Sequence, residues 1–212
     1  MATRPNLHPH EALVLDSAPA ETPVSLAEMR LHLKIDSNVT EDDALITTLI
    51  EAATEQAEMF TRRAFVTQTW IMYLDGFPPN TGQINSDTSL IELPKSPTAS
   101  VTSVKYYDTD NTEQTLVVDT DYEVDTNSEP ARILPVDGTV WPDTRSKMNP
   151  VSVEFIAGYG VATAVPDVIK VAIKVMVGGW YENREEIVLQ GTPKMTGIQE
   201  QLLWGVRLLE IR

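Results

Sequence analysis

Residues 151–181 read VSVEFIAGYGVATAVPDVIKVAIKVMVGGWY, and the hydrophobic period changes inside this stretch. Val151, Val153 and Phe155 alternate with Ser152 and Glu154. A period of two turns one face of a β-strand toward a core. Beyond Gly158-Tyr159-Gly160 and Pro166, the residues Ile169, Ala172, Ile173, Met176, Val177 and Trp180 recur at helical spacing. Proline at the first helical position is pre-set for the turn. Val168, Val171 and Val175 widen the apolar surface, leaving Lys170 and Lys174 as solvent markers. A helix apolar nearly all round is buried on most sides, and a neighbouring subunit is one candidate cover. Gly178-Gly179 costs about 1 kcal/mol per glycine relative to alanine and marks a place for close helix approach. A β block therefore precedes this stretch and a helical block follows it.

Working toward the N-terminus, short runs rich in β-branched and aromatic residues predict further strands. They are 66–74, Ser89–Leu93, Val101–Tyr107, Gln114–Val118, Tyr122–Val124 and Ala131–Leu134. Polar turn clusters separate them, as in a small antiparallel sandwich or barrel. Before them lie two helices. Ser25 and Glu28 are spaced for a capping box, and Val24 and Met29 for a hydrophobic staple. Thr40-Glu41-Asp42-Asp43 opens the second helix, with acidic groups at its positive dipole end. Its predicted buried stripe is Leu45, Leu49, Ala52, Ala53, Gln56, Met59 and Phe60, ending at Arg62-Arg63. On the C-terminal side, Gln190–Pro193 is a predicted loop. A last helix from Gly197 carries Ile198, Leu202, Val206 and Leu209 on one face, with Leu203, Trp204 and Leu208 beside it. The predicted class is α+β: a small helical bundle built from both chain ends, with an inserted antiparallel β domain. The expected layout is an arm or mobile tail over 1–22, a discontinuous helical domain of 23–65 and 164–212, and a β-rich insertion over 66–163.

The 212 residues carry 16 basic and 31 acidic side chains, a net charge of −15. A protein that grips nucleic acid needs a basic stripe to displace phosphate counterions, and the sequence has none. The acidity sits in residues 1–145; residues 166–212 hold six basic and six acidic groups and are strongly apolar. A neutral apolar end on an acidic body points to a contact surface more than to a reaction site. There is no cysteine, which removes disulfides, thiolate metal sites and a cysteine nucleophile. No apolar run reaches the length of a membrane span and the N-terminus has no signal-peptide core, so a soluble protein without membrane partners is expected.

Catalytic constellations are missing as well. Of three histidines, only His32 lies in a predicted element, with no serine elbow near it. His8-Pro9-His10 lacks a third metal ligand. Gly158-Tyr159-Gly160 lacks the glycine-lysine pair of a phosphate-binding loop. In Asp108-Thr109-Asp110-Asn111-Thr112-Glu113, the sixth and twelfth positions are Glu113 and Asp119, where a calcium loop needs glycine and glutamate; a polar hairpin turn is the better reading. No enzyme activity and no cofactor are expected. An enzyme working with carboxylates alone would need two of them across a cleft lined by aromatic platforms.

An ordered series of short motifs runs through the chain: Val24-Ser25-Leu26-Ala27-Glu28 with Leu31-His32-Leu33, Asp42-Asp43 before Leu45-Ile46, and Thr61-Arg62-Arg63-Ala64-Phe65 leading to Thr69-Trp70. It continues with Ile91-Glu92-Leu93-Pro94, Val101–Asp108, Phe155–Gly160, Val165-Pro166 and Trp180-Tyr181-Glu182-Asn183-Arg184-Glu185. In this order they resemble the head–tail connector, or adaptor, proteins of tailed bacteriophages, over roughly 23–212. The resemblance implies a structural virion protein of the neck, assembled in the host cytoplasm. It implies a ring, usually twelvefold, under the portal protein, which extends the channel for double-stranded DNA and docks the next neck, stopper or tail protein. By the same analogy Leu202–Arg212 faces the portal. Trp180, Tyr181, Arg184, Leu203, Trp204 and Leu208 are the expected interface residues. The competing reading is a non-viral acidic module that recognises a protein partner or calcium through its β domain.

Overall fold

The computed structural model describes residues 11–36, 38–79, 89–183 and 197–208. The chain is α+β and divides into two compact units. One holds the residues up to 18 together with 68–158; the other holds 19–67 and the residues from 159 onward.

The first unit contains all the strands among the described residues: β1 (Glu11–Ser17), β2 (Gln68–Leu74), β3 (Ile91–Glu92), β4 (Thr98–Tyr107), β5 (Glu113–Leu116), β6 (Tyr122–Asp125), β7 (Arg132–Pro135) and β8 (Val151–Ala157). Five form an antiparallel sheet in the order β1-β2-β8-β4-β5, and three form a second sheet in the order β3-β7-β6. The alternation of β8 is realised in full. Val151, Val153 and Phe155 are completely buried, with Met72 of β2 and Val104 of β4 paired on either side of Val153. Trp141 is buried too: its indole N–H donates to the Ser89 carbonyl at 2.7 Å and its ring stacks on Phe77 at 4.7 Å. Among the described residues the larger sheet stays open, with β1 and β5 as its edges, so the barrel alternative is not realised.

One expectation is corrected here. Residues 11–17, read from sequence as part of an arm or tail, form β1 and pair antiparallel with β2 from Glu11 opposite Leu74 to Ser17 opposite Thr69. Their ordering partner lies some fifty residues away, so no local pattern announces it. Residues 1–10, with His8 and His10, lie outside the described residues.

The second unit contains α1 (Leu26–Leu33), α2 (Asp43–Thr61), α3 (Asp167–Glu182) and α4 (Gly197–Trp204), with a short 3₁₀ turn at Ala162–Ala164. The capping box of α1 is complete: the Glu28 amide donates to Ser25 Oγ at 3.2 Å, and the Ser25 amide donates to Glu28 Oε2 at 3.0 Å. That backbone bond, ahead of the nearby Lys174 charge, holds the Glu28 carboxyl below its ordinary pKa. Val24 and Met29, the staple pair, are both fully buried. The core of the unit joins Ile46, Ile50 and Ala53 of α2 to Ile169, Ile173 and Met176 of α3, closed by Phe65 and Leu203.

The α3 stripe is the one read from sequence. The α2 stripe is rotated by one residue: Ile46, Ile50, Ala53, Ala57 and Thr61 are buried, while Leu45 and Met59 are exposed. Both registers recur at helical spacing, and packing against α3 selects the one with β-branched residues and small alanines. Gly178 faces α1, where an added Cβ would stand 3.5 Å from His32 Nε2, an ordinary contact distance; Gly179 meets nothing within 4 Å.

Candidate assembly surface

The helical unit carries the residues expected at an interface, and their surroundings separate them. Leu203 is fully buried in the core with α2 and α3. It is therefore corrected from interface to core, and the face of α4 is rotated: Gln199 and Leu203 point inward, whereas Ile198 is 63% exposed. The run Ile198, Leu202, Leu203, Trp204 is apolar in two adjacent registers, and only docking onto α2 and α3 chooses between them. Leu208 is half-buried, and its amide donates to the Thr61 carbonyl at 2.9 Å, tying the end of the chain to the end of α2. Trp180 is half-buried against the core. Tyr181 is half-buried, and its hydroxyl donates to the Asp42 carboxylate at the start of α2. Arg184 lies outside the described residues.

Trp204 is the most open of the group, 52% exposed. Its ring packs at 6.3 Å, tilted 53°, against Phe60 of α2. The Arg207 guanidinium lies 5.0 Å from the Phe60 ring and 5.2 Å from the Trp204 ring, a cation–π arrangement with both. Close by, Arg63 is nine-tenths buried and its Nε donates to the Val206 carbonyl. Sequence reasoning placed Phe60 in the core and passed over Arg207. The spacing between them spans most of the chain, and only the docked α4 brings them together.

Another flank of α2 has the opposite character. A groove of about 180 Å³ is lined there by Pro19, Glu21, Glu51, Thr54, Glu55, Glu58 and Val66. Glu58 accepts from the Phe65 amide and Glu21 from the Ala162 amide, each at 2.7 Å. Those two carboxylates hold the chain entering and leaving the helical unit. Glu51 and Glu55 are exposed.

In the β unit, Asp108 Oδ1 accepts from the amides of Asp110 and Thr112, and Oδ2 from the Gln114 side chain at 2.8 Å. The Gln114 bond first, then the backbone, holds the Asp108 carboxyl below its usual range. The segment is the turn of the β4–β5 hairpin, with Asn111 left-handed at φ 64°. Asp125 is pulled down to about 2, chiefly by its bond from Arg132 at 2.6 Å. A polar hollow of about 290 Å³ lies over the larger sheet, lined by Tyr73, Lys105, Tyr107, Glu113, Asn149 and Glu154. Among the described residues no three His, Asp or Glu side chains are grouped to hold a metal ion, and no helix is long and apolar enough to cross a membrane.

The fold defined by these two units is that of proteins in the neck of gene transfer agent (GTA) particles. A chain from the neck of the empty GTA particle computed with C6 symmetry superposes with a TM-score of 0.75 at 21% identity, covering 95% of this chain and 97% of that one. A chain from the neck of the native GTA particle computed with C12 symmetry gives 0.71 at 21% identity, with the same coverage. One from the virion of the native particle gives 0.73 at 20% identity, covering 94% and 97%. No curated protein sequence matches. The sequence itself goes further than the fold: residues 23–130, just over half the chain, match the phage gp6-like head-tail connector model, and the chain belongs to that family.

Proposed function

We propose that the protein is a structural component of a particle neck, a connector ring that joins the portal to the next neck or tail protein and extends the DNA channel. The observation that carries this reading is a fold shared almost end to end with GTA neck chains, joined to membership of the head–tail connector family. Twelve copies suit the C12 symmetry of one of those necks. In this reading the helical unit makes the ring, and the β-rich residues, now joined by β1, form the other unit. The half-buried Trp180, Tyr181 and Leu208, the open Trp204 and the expected Arg184 belong to the contact region in this reading.

The −15 charge supports passage of DNA without capture. An acidic wall repels phosphate, and a channel that must release its cargo cannot profit from the counterion release that drives tight binding. The role needs no chemistry at a reaction centre and no cofactor. The calcium alternative loses its best loop, because both Asp108 oxygens are already engaged by the chain.

Electron microscopy of the purified protein, alone and mixed with its portal, tests the proposal. A ring on the portal is the expected result. A chain that stays monomeric beside a well-formed portal overturns it. Submicromolar binding of duplex DNA in a low-salt gel shift would separately remove the acidic-channel element.

A further inference from the structure

We propose that neighbouring copies dock head to tail through two flanks of α2, the Phe60–Trp204–Arg207 patch of one copy against the Glu51–Glu55 groove of the next. The inference rests on the ring reading given above and names its contact.

A cyclic ring larger than a dimer requires two different, complementary patches on each subunit. Helix α2 supplies such a pair. Its buried stripe is centred on Ile46, Ile50, Ala53 and Ala57. At about 100° per residue, Glu51 and Glu55 stand about 130–170° from that centre on one side, and Phe60 about 50° on the other. The two patches thus look in nearly opposite directions from one rigid helix, as successive contacts around a ring must.

Their chemistry is complementary. On one flank, the Arg207 cation is held between two rings. Among the described residues, its Nε is screened from solvent without a hydrogen-bond acceptor, and no carboxylate faces the guanidinium. A buried guanidinium N–H without an acceptor is costly, and a carboxylate from outside the chain would relieve it. Trp204 leaves half its surface open beside that cation, and tryptophan and arginine are the residue types that dominate interface energetics. On the other flank, Glu51 and Glu55 are exposed and make no hydrogen bond or ion pair among the described residues. They border a groove with Pro19, Pro23 and Val66 as apolar walls. One face offers a ring-mounted cation and an open indole; the other offers carboxylates beside an apolar hollow. In a chain as acidic as this one, copies repel one another, so a contact that sets a cation against carboxylates also fixes which faces meet.

Charge exchange tests the pairing. Three variants of the full chain are required: Arg207→Glu; Glu51→Arg with Glu55→Arg; and all three changes together. Each is checked for its native circular dichroism and then examined for rings on the portal. Either reversal alone is expected to raise the concentration needed for half-assembly by roughly tenfold or more, as for unpairing a buried interfacial charge. The combined variant is expected to recover rings, because every contact again sets opposite charges together, now a carboxylate against cations. Reversed variants that form rings as the parent does overturn the proposal while leaving the ring intact. A combined variant no better than the single reversals does the same. A parent chain that never forms rings removes the ring reading and this contact together. If Arg207→Glu fails to fold, the cysteine-free chain allows a second measurement. A Glu55→Cys, Arg207→Cys chain should give a ladder of covalent multimers on oxidation. A double-cysteine chain that stops at dimers, or dimers formed as readily by either single-cysteine chain, overturns the pairing.

Discussion

Helices α3 and α4 both come from the C-terminal third of the chain, both are apolar, and only one of them was legible. In α3 two lysines mark the outward direction, and five core positions fall where the spacing puts them. In α4 no cation interrupts GIQEQLLW, so two registers a residue apart compete, and the one that includes Gln199 is buried. The number of apolar residues in a helix is therefore a weaker guide to its buried face than the position of the few polar residues that contradict them.

Substitution of the α3 core should produce the largest effect. Ile173→Ala leaves a cavity in the most enclosed part of the helical unit, and a loss of about 2–5 kcal/mol is expected in urea unfolding. Val171→Ala, on the same helix but 47% exposed, should stay within about 0.5 kcal/mol. A similar cost at both positions would break the claim that α3 has a well-defined inner face.

In α4 the same contrast falls on Leu203 and Ile198. Leu203→Ala is expected to cost about 2–4 kcal/mol, toward the lower end because a short helix can settle into the space. Ile198→Ala should change little. The reverse order would restore the register read from sequence. The third test concerns how the end of α3 is held. Tyr181→Phe removes a hydroxyl bonded to the Asp42 carboxylate, for an expected loss of about 1–2 kcal/mol, since hydrogen bonds to charged groups lie near the top of the usual range.

Acid gives a smaller effect, confined to the α1–α3 side. Glu28 caps α1 and approaches Lys174 of α3 at 3.6 Å. Its folded pKa lies below the ordinary 4.5. The stability it contributes is therefore complete above that ordinary value and is lost as pH falls through the lower, folded one. Thermal midpoints measured between pH 6 and pH 3 should fall more steeply for the parent than for Glu28→Gln. Parallel curves would remove Glu28 from the account. Smallest of all, Gly179→Ala should stabilise the free chain by about 0.4–1 kcal/mol, because a helical glycine with open space around it costs only backbone entropy.

Legibility elsewhere followed the same division between local and distant causes. The capping box and staple of α1 were readable because Val24, Ser25, Glu28 and Met29 lie within six consecutive residues. The alternation of β8 was readable because one face of a strand is a local pattern. The register of α2 was not, since Leu45–Leu49 and Ile46–Ile50 have the same spacing and differ only in what α3 presents to them. The patch of Phe60, Trp204 and Arg207 was not legible either; it exists only where α4 meets the end of α2. For β1, the sequence EALVLDS carries no strong strand signal, and its order comes from β2.

That pairing of β1 with β2 shapes the birth of the molecule. The first strand leaves the ribosome early, yet its neighbour follows only after about fifty residues that belong to the helices, and the central strand β8 emerges some eighty residues later still. Neither unit is one continuous piece of chain. The helices cannot finish packing until the strands have been made, and the larger sheet cannot gain β8 until Ala157 has been synthesised. Pairings this distant in sequence are slow to form and leave unpaired edges exposed while they wait. A nascent chain stalled before residue 151 should therefore be sensitive to protease throughout; resistance should arise in the β unit once β8 has been released, and in the helical unit only after α3 follows.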